Sequence, residues 1–381
     1  MKLIKSITLF DGTIEKRNCY IGFEGDRILY VGEEKPKPDY SCELIAQDVF
    51  VTPAIIDAHS HIGLVRSGEP ACEDEANEHS NAILPLINSL HSIYMDDLSF
   101  RDSVESGVLY SVVLPGSGNI IGGKAVLLRN FETNIEKAFI QDVGIKMALG
   151  FNPRSTVEWK GQRPTTRMGA MAILREHLLK ARKLQNLIDK NKKDLDEVDP
   201  LSEIFLDMLS KRLSVLVHLH KEDDAILLIQ LAKEFGLKTM AHHCMGIYRE
   251  EVFTYLHSLD IPVVYGPLDS FQYKVELKNE SWRNVKPLID SKVKFALMSD
   301  HPVILQRNLF YTLRHLLRFG LSKSDCISKI TKEPADIIGI DNIGQIKPGF
   351  ISSMIIWNGD PFSLTSHPTM VIAEGNTIYQ E

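Results

Sequence analysis

The sequence predicts an α/β protein: a (β/α)8 TIM barrel carrying a small composite β-sandwich domain built from both chain termini. Through the middle of the chain, short apolar runs alternate with helical or loop segments, the pattern of a parallel barrel and not of a sandwich. Both ends read instead as short β runs separated by turn residues. Length supports the division, since 381 residues are enough for two or three domains with a sizeable core. The expected partition assigns 1–51 and 344–381 to the composite β domain and 52–343 to the barrel.

At the N-terminal end the β runs are 3–10, 19–23 and 27–31, punctuated by Asp11-Gly12 and Glu24-Gly25-Asp26. At the other end they are the residues around Ile346, then 354–357 and 369–379, separated by Pro348-Gly349 and Asn358-Gly359-Asp360-Pro361. These two ends are expected to share one sheet. The barrel runs are 54–57, 108–114, 124–128, 145–150, 214–218, 238–243, 261–265 and 293–299. After the fifth run, Glu222, Asp223 and Asp224 place negative charge on a helix N-terminus, Ile226, Ile229, Leu231 and Ala232 supply an apolar face, and Gly236 ends the helix. After the eighth, Leu309, Leu313, Leu316 and Leu317 recur at helical spacing up to Gly320. The charged stretch 167–211 reads as an inserted helical hairpin. Its plain reading is a solvated face, and the alternative is a lid over the active site.

Composition narrows the function. Hydrophobic residues at 44% and charged residues at 24% match a folded globular chain. A net charge of −7, from 43 Lys and Arg against 50 Asp and Glu, argues against a nucleic-acid partner and for a small-molecule substrate. Cys19, Cys42, Cys72, Cys244 and Cys326 are scattered, odd in number and form no CxxC pair, which argues against a zinc knuckle or a disulfide framework. No apolar run approaches the ~18 residues of a membrane helix, and MKLIKSITLFDGTIEK has no signal-peptide core. A cytoplasmic location without membrane attachment is expected, and a homo-oligomer stays open.

The histidines carry the chemistry. His59-Ser60-His61 and His218-Leu219-His220 each end an apolar run, and residues i and i+2 of a strand point the same way, so each pair can grip one ion. A third run ends in His242-His243, and the eighth ends in Asp300-His301-Pro302. Neutral imidazoles with a carboxylate suit zinc and related divalent metals. In a (β/α)8 barrel the C-terminal strand ends meet at one mouth, so groups at the ends of runs one, five, six and eight converge there. Any one of these histidines could be an ordinary core residue; the set reads as a metal site.

These segments resemble the amidohydrolase superfamily, in the group of imidazolonepropionases and metal-dependent dipeptidases. TPAIIDAHSHIG (52–63) resembles the first-strand motif, VHLH (217–220) the fifth, AHHC (241–244) the sixth and SDHP (299–302) the eighth. ITKEPADIIGIDNIGQIKPG (330–349) resembles the exit from barrel to sheet, and the N-terminal β runs resemble the family's N-terminal sheet. The resemblance implies a divalent metal, zinc first with iron or manganese as alternatives, bound by His59, His61, His218, His243 and Asp300. Asp300 would also shuttle the proton, and His243 would approach the water or the substrate carbonyl. His242 and His243 are adjacent and expected on opposite sides of their strand, and His243 is preferred as the site residue. Two-metal relatives carry a bridging lysine or glutamate from the third or fourth strand. Here Lys124 lies in a Gly-Gly-Lys turn and Lys146 at the start of its run, so one ion is expected ahead of two. Relatives often have Glu where this chain has Phe151, which cannot ligate.

The implied reaction is hydrolysis of an amide or cyclic-amide C–N bond, not a standard peptide bond except in a dipeptidase-like version. The other readings are a deaminase of an amidine-like ring and a non-catalytic, dihydropyrimidinase-like binding protein. For substrate binding the candidates are His220 and His242 in the pocket, and Arg154, Arg167 and Lys274 for a carboxylate. Arg163 is a further basic candidate; Tyr273, His301 and Cys244 are weaker ones. The glycine-rich PGSGNIIGG (115–123) reads as a strand-end turn lining the pocket and not as a nucleotide site.

Overall fold

Alternating burial along the end segments builds the first layer of the molecule. The computed structural model describes residues 1–36, 42–70, 73–154 and 163–381. Strands β1 (Lys2–Phe10), β2 (Glu15–Glu24), β3 (Arg27–Gly32) and β4 (Glu43–Pro53) come from the N-terminal end. The barrel strands follow as β5 (Ile55–Ser60), β6 (Val108–Val113), β7 (Ile121–Arg129), β8 (Phe139–Ala148), β9 (Val215–Leu219), β10 (Thr239–His243), β11 (Val263–Tyr265) and β12 (Phe295–Leu297). The chain closes with β13 (Met354–Trp357), β14 (Pro368–Ala373) and β15 (Asn376–Gln380). The two ends do share one sheet, in the order β15-β14-β13-β4-β1-β2-β3. Its β4 is the strand the run pattern missed, because ELIAQDVFVTP mixes polar and apolar residues, yet it pairs with β1 on one side and β13 on the other. Ile4, Ile21, Val51, Met354 and Ile372 pack together as this layer's own core.

The eight barrel runs all become strands of one sheet in sequence order, β5 through β12. Closure comes from backbone contacts between the first strand and the segment after the last: Asp300 N donates to His59 O at 3.0 Å and His61 N to His301 O at 3.0 Å. The barrel departs from an all-parallel ring at one place, since β7 runs antiparallel to both β6 and β8. The reason is chain length. The link Leu114–Ile120 is too short for a crossover, which takes a dozen or more residues, so the strand must come back as a hairpin. Its Gly116, Ser117 and Gly118 therefore sit at the barrel mouth.

The segment 167–211 forms two helices, Arg167–Asp189 and Pro200–Leu209, between β8 and β9. The first buries Ala170, Leu174, Leu178 and Ala181 at helical spacing. Arg175 grips Glu234 of the neighbouring helix with two 2.6 Å contacts. This pair is a packed crossover on the barrel flank. No helix among the described residues is long and apolar enough to cross a membrane.

Candidate metal centre

Strand β5 delivers His59, and His61 follows just beyond its end; both approach the Asp300 carboxylate, whose Oδ1 lies 3.3 Å from Nε2 of each. Asp300 reaches them because the closing backbone bonds hold 299–301 against the end of β5 and because Asp300 itself sits at φ 52°. Beneath them, Asp57 is fully buried. It accepts from Ser299 N at 3.1 Å, from Gln306 Nε2 at 2.8 Å and from the Ser299 hydroxyl, locking the first and eighth strand segments together. Burial pushes the Asp57 carboxyl up to about 6 against these donors.

Strands β9 and β10 supply the other side. His218, His220 and His243 are each about 2% exposed, with ring centroids 4.3 Å apart for His218 and His243 and 4.9 Å for His220 to either. The adjacent His242 and His243 do not face opposite sides. His242 Nδ1 lies 2.8 Å from His59 Nδ1, while the His243 ring centroid is 4.7 Å from that of His59. Strand alternation fails there because His243 adopts a positive φ of 73°, which brings its ring as well as that of His242 against His59. Backbone strain of this kind, of order 1–3 kcal/mol per residue, collects at functional sites.

The hydrogen-bonding of the rings tests whether a metal fits. His61 Nδ1 is 2.7 Å from Leu114 O, His243 Nδ1 is 3.2 Å from Gly266 O, and His218 Nε2 is 3.4 Å from Glu276 Oε1. In each case the outer nitrogen is tied. The other nitrogens of His218 and His243, Nδ1 and Nε2, are buried with no hydrogen-bond partner, as are both nitrogens of His220. His59, His243 and Asp300 present one donor atom each within 4.8 Å of one another, and so do His218, His220 and His243. Burial holds the imidazoles of His59, His220, His242 and His243 well below their ordinary range and that of His218 at about 4. Neutral rings with an inward lone pair are what a divalent cation requires.

A family model for the amidohydrolase family matches residues 204–378. An amidohydrolase from Thermotoga maritima MSB8 is similar over all of both chains, at 29% identity and a TM-score of 0.91. These likenesses are to the amidohydrolase superfamily. Amidohydrolase tasK of Hapsidospora irregularis is 25% identical over 357 residues, which are 87% of this chain and 36% of that protein. The chain thus spans about a third of the length of this curated relative. A prolidase complexed with N-methylphosphonate-L-proline shares the fold at 14% identity, a TM-score of 0.64 and full coverage of both chains.

Two residues of this site were undervalued by the sequence reading. Lys146 is 1% exposed, and its Nζ stands 3.5 Å from His59 Nε2. It looked like the start of a run because FIQDVG is too polar to read as strand, but β8 begins at Phe139 and places Lys146 near its C-terminal end. Burial lowers its ammonium to about 7, with the Asp300 charge opposing. Lys124, by contrast, reaches out to Asp142 at 3.3 Å. The second missed residue is Glu276, 2% exposed on the short turn Val275–Leu277 beyond β11. Burial would raise its carboxyl, but the His218 ring and Lys274, 2.8 Å away, outweigh that and hold it well below the carboxylate range. A lone Glu in a loop has no periodicity or motif to betray it.

A cavity of about 470 Å3 opens onto the cluster, walled by His61, His218, His243, Asp300, Tyr273 and Lys274. Of the basic candidates, Lys274 lines it. Arg154 turns away, donating to Gly150 O at 2.9 Å, and Arg167 pairs with Asp224 at 2.6 Å; neither is among the lining residues. Arg163 Nη2 reaches Asn152 O at 3.3 Å. Cys244 is fully buried and its thiol is pushed far up, so it offers no thiolate. His301 is buried and its Nδ1 accepts from Gln306 N at 3.3 Å.

Proposed function

We propose that the protein is a metal-dependent hydrolase of amide or cyclic-amide C–N bonds in a small molecule. The observation that carries this reading is the convergence of three imidazoles, His59, His61 and His243, on one carboxylate, Asp300, with His218 packed beside His243 and with His218 and His243 each keeping a buried nitrogen without a hydrogen-bond partner. His59, His61, His218, His243 and Asp300 would hold the ion. When bound, a divalent metal supplies Lewis acidity that brings the ionisation of water toward pH 7 and polarises a carbonyl.

The chain's own residues supply the rest. Asp300, held ionised by His59 and His61 despite its burial, accepts the proton of the attacking water and returns it to the leaving nitrogen. His243 faces the cavity beside Asp300, with 3.8 Å between its Nδ1 and Asp300 Oδ2, and its inward Nε2 lone pair would hold the ion or accept from the attacking water. His242 braces His59 from behind. Lys274 is the basic group on the cavity wall that would meet a substrate carboxylate, in competition with Glu276. One observation favours a two-ion version of this reading: Lys146, on the fourth strand, is buried with its Nζ 3.5 Å from His59 Nε2, and it would be the lysine to help hold a second ion.

The test is metal content by mass spectrometry on purified protein, beside His59→Ala, followed by a screen of N-acyl amino acids, dipeptides and cyclic amides. About one or two equivalents of zinc, iron or manganese, strongly reduced in the variant, together with turnover of one of these classes, is the expected result. A wild-type protein that neither contains nor takes up metal defeats the mechanism, and ammonia release without ring or chain cleavage turns it into deamination.

A further inference from the structure

We propose that Glu276 is a positioning residue of the metal centre: from the loop after the seventh barrel strand it holds the His218 ring by Nε2, leaving Nδ1 to face the ion. This rests on the metal-dependent reading above and deepens it. Both oxygens of the carboxylate are employed. Oε2 accepts from the backbone N–H of Phe151 at 3.0 Å, which pins the β11 loop to the end of β8. Oε1 lies 3.4 Å from His218 Nε2, 3.8 Å from His220 Nε2 and 2.8 Å from Lys274 Nζ. With the Asn152 amide oriented to satisfy its neighbours, its nitrogen donates to the same Oε1 at 3.3 Å and its oxygen accepts from Lys274 at 3.3 Å and from Ser117.

A neutral imidazole carries one N–H and one lone pair, so the acceptor at one nitrogen decides which end can ligate. His61 and His243 are set by backbone carbonyls, Leu114 O and Gly266 O. Among these outward partners Glu276 alone bears a charge. A carboxylate behind a ligating histidine raises the basicity of the ring as well as fixing its tautomer, and losing such a partner typically costs 10–100-fold in metal affinity. Phe151, which has no ligating side chain, thus contributes its backbone N–H to hold a carboxylate that arrives from another loop. Lys274 neutralises that carboxylate, so the two charges enter the buried site as a pair.

Two measurements test this on the full chain. The first is the tautomer of His218 in metal-free wild-type protein, read from long-range proton–nitrogen NMR correlations. The Nε2–H form is expected, and the Nδ1–H form overturns the proposal without any variant being made. The second is zinc affinity by competition with a chromophoric chelator. The variant Glu276→Gln with Lys274→Met removes both charges together and is expected to bind zinc about 10–100-fold more weakly than wild type, and more weakly than Lys274→Met alone, which keeps the carboxylate behind His218. The melting temperature of the metal-free protein reports whether folding, and not orientation, has changed. Affinity of the double variant within about threefold of wild type overturns the positioning role while leaving the metal-dependent reading intact. Failure of the wild-type protein to bind zinc at all defeats both.

Discussion

The two halves of the candidate metal centre are built by different means. His59, His61 and Asp300 sit on the seam that closes the barrel, where backbone bonds between 59–61 and 300–301 and the buried Asp57 clamp set their positions. His218 and His220 end a central strand, and their setting depends on a carboxylate carried in by a distant loop. The first half is rigid through the covalent and hydrogen-bonded geometry of short strand ends. The second owes its precision to side-chain contacts among Glu276, Lys274, Asn152 and the end of β8. Motif-bearing strand ends can therefore be complete in sequence while half of their tuning lies elsewhere.

That contrast can be broken at the seam first. Asp300→Asn keeps the shape of the side chain and removes its basicity, so kcat is expected to fall about 10²–10⁴-fold in a steady-state assay on whichever amide proves to be a substrate. A fall of less than tenfold would transfer the proton shuttle to another group. Asp57→Ala attacks the same seam through stability: it strips Ser299, Gln306 and the His59 backbone of their acceptor, and urea unfolding is expected to show a loss of about 2–4 kcal/mol. An unchanged midpoint would mean that the strand contacts close the barrel unaided.

Between the halves lies Lys146. Lys146→Met removes a buried ammonium that has no ion-paired carboxylate among the described residues, so thermal denaturation is expected to show equal or higher stability while activity drops at least about tenfold. Full activity in that variant would return the site to a single ion held by the five other ligands. The smallest effect is reserved for Lys124→Met. Its ammonium meets Asp142 at a half-exposed position, and the change is expected to cost about 0–1 kcal/mol and to leave kcat/KM within twofold.

Most of the scaffold was legible because it follows from periodicity. Eight apolar runs became eight barrel strands, and the turn-punctuated ends became one sheet. What periodicity misjudged was polar strand: the first half of β8 and all of β4 hydrogen-bond as strands without an apolar pattern, since their neighbours supply the pairing. The reversal of β7 was available from the brevity of Leu114–Ile120, a matter of chain reach. At the site, His-x-His spacing marked His59, His61, His218 and His220, but strand alternation wrongly separated His242 from His243, because nothing local announces a positive φ at a histidine.

The sequence by itself determined the strand ends, the order in which they meet and the imidazole and carboxylate groups they carry, because side-chain period and short links constrain a barrel before it folds. Only the tertiary structure decided which nitrogen of each imidazole faces inward, that Lys146 stands among them and that Glu276 arrives to hold His218. Those outcomes depend on distances between residues far apart in the chain, and neither spacing nor composition encodes such distances.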